Sequence, residues 1–293
     1  MKSQESLILS IYLAGHLDED GIVHALSSLD GSCSVQFLEQ LTIECCRKRH
    51  LSALRTCLSI SCIVIPDATI EQCIEMCIAQ KQPNAAKVVV TSLCSNIRAL
   101  DDALMRLLRW ICSQPNDTSS QAFSGMLSML LDHNLVDVSA SDNIAFFMAC
   151  QSGNLEFVQR LLCDARVDPS ASLNRALCSA CARNHAPIVK YLLDDARVDP
   201  GEPSEAPIRE AVAHRSYSAI SALLEDGRVD PTPHGFEIIC TMILEGKYAP
   251  DLIRTLLFDG RMAFSNAELS RIIKLLLDMH IGQDMDTCNG HVT

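Results

Sequence analysis

The residues whose types and spacing most clearly suggest a chemical site are cysteines near the middle of the chain. Cys178, Cys181 and His185 follow the pattern Cys-x-x-Cys-x-x-x-His, which would bring two thiols and an imidazole together on a helix and its following turn. Thiolate and imidazole are ligands that structural zinc prefers, but a closed site needs a fourth ligand, and none has an obvious place. We therefore interpret Cys178 and Cys181 as small apolar residues that pack in the core, and we expect no metal site.

Other cysteines suggest nucleophilic or redox chemistry on similar grounds. Cys73 and Cys77 lie one helical turn apart, and the pair Cys45-Cys46 precedes His50. A reactive cysteine needs an identifiable base and a cleft, and the repeat pattern described below accounts for these spacings without chemistry. A cysteine-rich metal-binding or redox-sensitive protein is therefore kept as the alternative function.

The number and spacing of the cysteines also indicate the cellular compartment of the protein. The chain has 15 of them, an odd number scattered from Cys33 to Cys288, whereas a secreted disulfide scaffold is short and pairs its cysteines. We expect reduced thiols in an intracellular protein, cytoplasmic or nuclear. The stretch Leu7–Ala14 is apolar, but HLDED follows it, so we interpret it as a first helix rather than a signal peptide. No run approaches the roughly 18 apolar residues of a membrane-spanning helix.

Familiar catalytic signatures are absent from the sequence. It contains no glycine-rich phosphate loop, no His-Glu-x-x-His and no Gly-x-Ser-x-Gly, so we expect no enzymatic activity and no cofactor. Six aspartates and four arginines stand in regular series: Asp164, Asp195 and Asp226; Asp168, Asp199 and Asp230, each before proline; and Arg166, Arg197, Arg228 and Arg261. Aspartate before proline can cap a turn by accepting from the backbone two residues on. We interpret the arginines and aspartates as a weak ion-pair ladder on a solvated edge, with a charged strip for a charged partner as the alternative.

The elements that carry these series form a repeat. The phrase LLCDARVDPS begins at Leu161, and close copies begin 31 residues later at Leu192 and 31 later again at Leu223. The apolar pair that opens the phrase continues in both directions, at Leu130-Leu131, Leu256-Leu257, Val89-Val90, Cys57-Leu58 and Ala25-Leu26. A fixed period of this length is typical of proteins whose units stack and bury their apolar faces against one another. We count about eight units and a final helix.

Each unit reads as two short helices. Leu173–Cys181 and Ile188–Leu193 both place apolar residues at helical spacing, and Asn184–Pro187 forms a turn between them. Proline at residue 187 suits the first turn of a helix. Val198–Gly201 then breaks the second helix, so the pattern predicts helix, turn, helix and extended turn.

These segments resemble the ankyrin-repeat family. The stretches MACQSGNLEFVQRLL (148–162), SACARNHAPIVKYLL (179–193) and ECCRKRHLSALRTCL (44–58) follow the middle of that family's unit, with a small pair, a turn and a Val-x-x-Leu-Leu-like second helix. The family's Thr-Pro-Leu-His tetrad is nowhere intact, and Ala206–Arg209 is the nearest match. The resemblance is firm over 130–262, whereas residues 1–129 carry it by spacing alone and are open to another helical domain.

The resemblance implies an all-α fold, a helical-hairpin solenoid of about eight ankyrin-like units plus a C-terminal capping helix. We expect an N-terminal region of degenerate repeats at 1–112, a loop insertion at 113–120, a repeat array at 121–267 and a capping helix with a tail at 268–293. The family implies a non-catalytic scaffold or adaptor that binds a protein on the concave face of the solenoid. An enzyme hidden in residues 1–120 is the remaining rival.

Composition limits the choice of partner. The net charge is −12, the pI is about 5.1, and 4% of residues are aromatic. An acidic chain without a basic patch in its sequence disfavours nucleic acid and anionic membranes, so we expect a protein partner and a monomer. On the inner face that the resemblance implies, the candidate partner-binding residues are first-helix positions that differ between units: Asn143, Met148, Gln151, Asn174, Ser179, Arg183, Glu205, Glu210, His214, Phe236, Thr241 and Glu245.

Overall fold

The computed structural model describes residues 2–29, 33–60, 65–95, 101–114, 120–201, 206–244, 250–258, 262 and 264–276. These ranges contain helices and turns and no strand. The helices are α1 Lys2–Leu13, α2 Glu19–Ser28, α3 Val35–Lys48, α4 Leu51–Ser59, α5 Asp67–Ala79, α6 Pro83–Ser95, α7 Asp101–Cys112, α8 Ser120–Asp132, α9 Ala140–Ser152, α10 Leu155–Leu162, α11 Ala171–Ala182, α12 Ala186–Leu193, α13 Ala206–Ala213, α14 Tyr217–Asp226, α15 Gly235–Leu244 and α16 Pro250–Phe258. Residues 266–276 are also helical.

In the described ranges, consecutive helices pair into eight hairpins, which confirms the predicted unit. All eight apolar pairs that marked the period lie on the second helix of a hairpin, from Ala25-Leu26 on α2 to Leu256-Leu257 on α16. At least one member of each pair is buried. The faint N-terminal spacing therefore marks the same hairpin as the clear C-terminal one. The helical segment 266–276 lies where the C-terminal capping helix is expected, and residues 277–293 are outside the described residues.

The helices form two compact units, Met1–Val167 and Asp168–Thr293. In the first unit, α1 to α10 pack so that each first helix contacts the next first helix and each second helix the next second helix, as α3 with α5 and α4 with α6. In the second unit, α11 contacts α13 and α12 contacts α14 in the same way, while α15 pairs with α16. Contacts therefore run mainly between sequence neighbours, as in stacked repeats.

Left-handed residues join the two helices within a hairpin. Arg49, Lys81, Gly153, Asn184 and Arg215 all have positive φ and follow a first helix. A residue in this conformation reverses the chain and lets the last carbonyls of the helix find partners, as the amide of His185 donates to the carbonyl of Ala180. The predicted turn before α12 is confirmed, since Pro187 lies in its first turn.

Cysteines recur in the core of the hairpins. Cys46, Cys77, Cys112 and Cys150 in the first unit and Cys181 in the second lie near the ends of five first helices, and each is 0% exposed. Within the first unit, the Sγ atoms of Cys46 and Cys77 are 3.4 Å apart. A small apolar side chain at this level lets adjacent first helices approach closely. The structure thus gives the repeated cysteines a packing role.

The predicted loop at 113–120 lies between α7 and α8, and its residues 115–119 are outside the described residues. The two compact units divide at Val167, inside the segment that we treated as one array from 121 to 267. The finer domain boundaries stay predictions. In the part of the chain that the structure describes, no helix combines the length and the apolarity that crossing a bilayer requires.

Candidate functional site

The arginine and aspartate series forms a repeated clasp, which we call the Arg–Asp clasp, made of Asp164 with Arg166, Asp195 with Arg197 and Asp226 with Arg228. In the third pair, Nε and Nη2 of Arg228 donate to the two carboxylate oxygens of Asp226 at 2.7 and 2.8 Å. The hydrogen bonds from each arginine hold the pKa of its aspartate below the ordinary value. A bidentate pair of this kind fixes the arginine's direction as well as its charge.

The fixed arginine then reaches the preceding repeat. Nη1 of Arg228 donates to the carbonyl of Val198 at 2.8 Å, and Nη2 donates to the carbonyl of Leu193 at 2.6 Å. In the first unit, Nη1 of Arg166 donates to Oδ1 of Asn134 at 2.6 Å. The expected ion-pair ladder is therefore present at Arg166, Arg197 and Arg228, and it also joins neighbouring repeats. Arg261, the fourth arginine of the series, lies outside the described residues.

The aspartates before proline cap turns as predicted. Oδ1 of Asp168 accepts from the amide of Ser170 at 2.9 Å, and Oδ1 of Asp199 accepts from the amide of Gly201 at 2.9 Å. Asp230 accepts from the amide of Thr232 at the same distance. Both aspartate series are thus engaged in building the repeat.

Two of the predicted binding residues are structural. Asn143 and Asn174 each end a run of three left-handed residues at the start of a first helix, and their exposures are only 6% and 5%. Nδ2 of Asn174 donates to the carbonyl of Asp199 at 2.8 Å, which ties this turn to the next one in the same unit. The expectation that these two side chains are exposed was wrong, because the left-handed run turns them into the interior. We leave them out of the proposed surface.

Four other candidates share one level of the first helix. Met148, Ser179, Glu210 and Thr241 follow one another at steps of 31 residues on α9, α11, α13 and α15, and all four are half-buried. Their types differ completely, from thioether to carboxylate. The side chain at this level is therefore not fixed by the packing that fixes its neighbours.

The remaining candidates lie at helix ends or on α15. Arg183 and His214 are exposed, and each directly precedes the left-handed residue that follows α11 or α13. The residue that directly precedes the corresponding left-handed Gly153 after α9 is Ser152, rather than the predicted Gln151. Gln151 is half-buried. Phe236 is half-buried with the Arg271 guanidinium 5.9 Å from its ring centroid. Glu205 and Glu245 lie outside the described residues.

Charged side chains of α13 lie close to one another and to Cys178 of α11. Nδ1 of His214 lies 3.8 Å from Oε2 of Glu210, on the adjacent turn of the same helix. Burial, and then the Glu210 carboxylate, raise the pKa of the Cys178 thiol to about 11, while Arg209 opposes the shift. Cys178 on α11 therefore feels both charges of α13, so these two helices present a single surface.

The structure does not assemble the Cys178, Cys181 and His185 motif into a metal site. Cys181 is fully buried and its pKa is raised by burial, whereas Cys178 faces the charges just described. Among the described residues, no group of three or more histidine, cysteine, aspartate or glutamate side chains is arranged to hold a metal ion. The cysteine pairs Cys45-Cys46 and Cys73/Cys77 lie in the core.

A groove that the sequence analysis missed lies between α5 and α7 in the first unit. It has a volume of about 410 Å³ and is lined by Glu75, Ile78, Ala79, Arg106 and Arg109. Nη2 of Arg106 pairs with Oε1 of Glu75 at 2.9 Å across it. The sequence signal for this groove was the spacing of three residues between Arg106 and Arg109, which places both on one helix face. This spacing indicates a groove only once α5 is known to lie beside α7.

Comparison with known proteins agrees with this geometry. A family model described as ankyrin repeats, in three copies, matches residues 110–203 and 146–234. No curated protein and no solved structure matches the chain. Residues 110–234 begin on α7 and end at the turn before α15, so the match follows the described hairpins. This part of the chain belongs to the ankyrin-repeat family.

Proposed function

We propose that the chain is a non-catalytic scaffold or adaptor that binds a protein partner on the exposed faces of its first helices. Ankyrin repeats typically serve protein–protein interaction and typically lack enzymatic activity, which supports the general role. The particular face is argued from the side chains described above.

The observation that carries the proposal is a contrast between two sets of repeated positions. The positions of the Arg–Asp clasp keep their residue types in three consecutive repeats, and they have hydrogen-bonding roles. The level of Met148, Ser179, Glu210 and Thr241 changes type at each repeat on otherwise similar helices. A surface that is free to vary while its support is constant is the surface on which repeat proteins acquire partners.

The best-defined part of this face is the surface of α11 and α13. Arg183 and His214 are exposed there, Ser179 and Glu210 are half-buried, and Arg209 is exposed beside them. Arginine and histidine beside half-buried polar groups combine charge with partly shielded surroundings, which strengthens hydrogen bonds to a partner.

A matched pair of variants tests this face. Arg183→Ala with Glu210→Ala removes one cation and one carboxylate from the α11–α13 face. Lys190→Ala with Glu225→Ala removes the same charges from the second helices, where Nζ of Lys190 pairs with Oε2 of Glu225 at 2.7 Å. Wild type and both variants would be used for quantitative affinity capture with mass spectrometry, from cells that express the protein, after circular dichroism shows equal helix content.

We expect a protein that is captured by the wild type and by the second-helix variant but lost with the α11–α13 variant. Equal capture by all three would refute this face as the binding surface. Loss with both variants would show that general charge, rather than this face, governs capture.

A further inference from the structure

Positive charge gathers at one end of the first unit, at the C-terminal ends of α3, α5 and α7. The exposed cations there are Arg47, Arg49, Lys81 and Arg109, and the exposed Arg106 lies about one turn before Arg109 on α7. In the described C-terminal halves of these three helices, two carboxylates accompany them: Glu44, paired with Arg47 at 2.5 Å, and Glu75, paired with Arg106. This end therefore carries an excess of positive charge in a chain whose net charge is −12.

The three helix ends are neighbours in space. Cys46 at the end of α3 touches Cys77 at the end of α5, with their Sγ atoms 3.4 Å apart. Ala79 at the end of α5 and Arg109 in the last turn of α7 line one groove. Cations at a helix C-terminus offset its partial negative charge, which explains one such residue on each helix but not the groove or the excess.

The groove combines an apolar floor with cationic walls. Ile78, which is half-buried, and the exposed Ala79 supply aliphatic carbon, and the Glu75–Arg106 pair bounds the space. Arg109 is exposed on the same wall. A volume of about 410 Å³ accommodates one or two side chains of a bound segment rather than a folded domain.

We propose that this groove binds an acidic peptide segment that places one aliphatic or aromatic side chain over Ile78 and Ala79 and a carboxylate beside Arg109. The proposal rests on the role in protein interaction proposed above, and it adds a second surface, on α5 and α7, with a partner of stated chemistry. The chain's other negative charges oppose such a segment weakly, because about 0.1 M salt screens charges beyond roughly 10 Å.

The lining favours a peptide over a nucleic acid. Single-stranded nucleic acids are held by aromatic rings on which bases stack, and the groove is lined by two arginines, one glutamate and two aliphatic residues. An apolar floor suits an aliphatic or aromatic side chain, which a phosphate backbone lacks. Nucleic acid is therefore an outcome that the test must distinguish.

The test uses the full chain and a phage-displayed library of random short peptides. The most enriched peptide is then synthesised with a fluorophore and its affinity measured by anisotropy, beside a fluorescent oligothymidylate. Three variants are compared: Arg109→Glu, which reverses the charge of the wall; Arg55→Glu, which makes the same change on the exposed face of α4; and Ala79→Arg, which fills the floor while adding positive charge.

We expect enrichment of peptides with several Asp or Glu residues around one apolar residue. Replacing attraction by repulsion at an exposed site should weaken binding about fivefold in Arg109→Glu and less than twofold in Arg55→Glu. Ala79→Arg should also weaken binding, because its side chain occupies the groove. If binding depended on charge alone, Ala79→Arg would instead strengthen it. This variant therefore distinguishes binding in the groove from binding to a diffuse basic surface.

Several results would overturn the proposal: no enrichment of acidic peptides, equal losses in Arg109→Glu and Arg55→Glu, or tighter binding by Ala79→Arg. Oligothymidylate that binds more tightly than the selected peptide and is lost with Arg109→Glu would assign the surface to nucleic acid instead. The α11–α13 capture experiment is unaffected by any of these results, so failure of the groove and failure of the general role are distinguishable.

Discussion

Replacing Arg228 by alanine should destabilise the protein more than removing any exposed arginine that makes no contact with another repeat. Arg228 makes a bidentate pair with Asp226 and donates to the carbonyls of Val198 and Leu193 in the preceding repeat. Its side chain is 39% exposed, so water partly replaces these bonds in the variant.

The expected cost follows from those contacts. Two hydrogen bonds to backbone carbonyls contribute about 1 kcal/mol each, and an exposed ion pair adds about 0.5 kcal/mol or less. Because the freed carbonyls gain access to water, we expect Arg228→Ala to lower the free energy of unfolding by about 1–2 kcal/mol. Arg228→Lys should lose about half as much, since an ammonium keeps the charge but cannot reach both the carboxylate and the carbonyls.

The assay is urea denaturation followed by circular dichroism, with Arg209→Ala as the control. Arg209 is exposed on α13, and its replacement should change the free energy of unfolding by no more than about 0.5 kcal/mol. The slope of the unfolding free energy with urea should be equal in all variants. If Arg228→Ala proves as stable as Arg209→Ala, the clasp contributes nothing to joining repeats and the reasoning is refuted.

The same geometry supports three further predictions. The folded pKa of Asp226 lies below its ordinary value of 3.8, so its contribution to stability is complete above that pH and is lost as the pH falls through the folded pKa. The difference in unfolding free energy between wild type and Asp226→Asn should therefore be constant near neutral pH and shrink below about pH 4, and a difference that grows in acid would contradict the assigned pairing. Leu173 is 70% exposed at a φ of 62°, so Leu173→Asn should raise the thermal midpoint with a gain of about 0.5–1 kcal/mol, and a fall would mean that the leucine makes stabilising contacts. Under iodoacetamide, peptide mapping should find the exposed Cys163 modified before Cys178, whose pKa is raised to about 11, and the reverse order would contradict the described burial.

The hairpins could be predicted because their signal is local and repeated. The apolar pairs from Ala25-Leu26 to Leu256-Leu257 marked every second helix, including those in the N-terminal region outside the family match. The turn caps at Asp168, Asp199 and Asp230 were also predictable, since an aspartate caps the backbone two residues on without help from the rest of the fold.

The left-handed runs were not predictable from the same sequence. Ser172, Leu173 and Asn174 read as the start of an ordinary helix, and a leucine disfavours positive φ. The run ends at Asn174, whose Nδ2 donates to the carbonyl of Asp199, 25 residues away in the sequence. The same tertiary effect buried Asn143 and Asn174, which we expected to face a partner.

The groove and its cations escaped the sequence analysis for a different reason. Arg47, Lys81 and Arg109 are separated by about thirty residues each, among enough carboxylates that no basic run appears. Stacking of α3, α5 and α7 brings the cations to one end, because cations lie in the C-terminal halves of these helices and most of their carboxylates lie nearer the starts. A local excess of charge can thus arise from helix polarity in a chain whose composition predicts the opposite sign.

The Arg–Asp clasp has a consequence for how such a chain can grow. Both charged members, Asp226 and Arg228, belong to one repeat, and the groups that they hold in the preceding repeat are main-chain carbonyls, which every residue type possesses. The junction made by Arg228 therefore needs no matched side chain on the other side, whereas Arg166 also uses the side-chain amide of Asn134. A duplicated or transplanted 31-residue segment would carry both charged residues of its own junction. The number of repeats can therefore change by gene duplication without a compensating mutation in the neighbouring repeat.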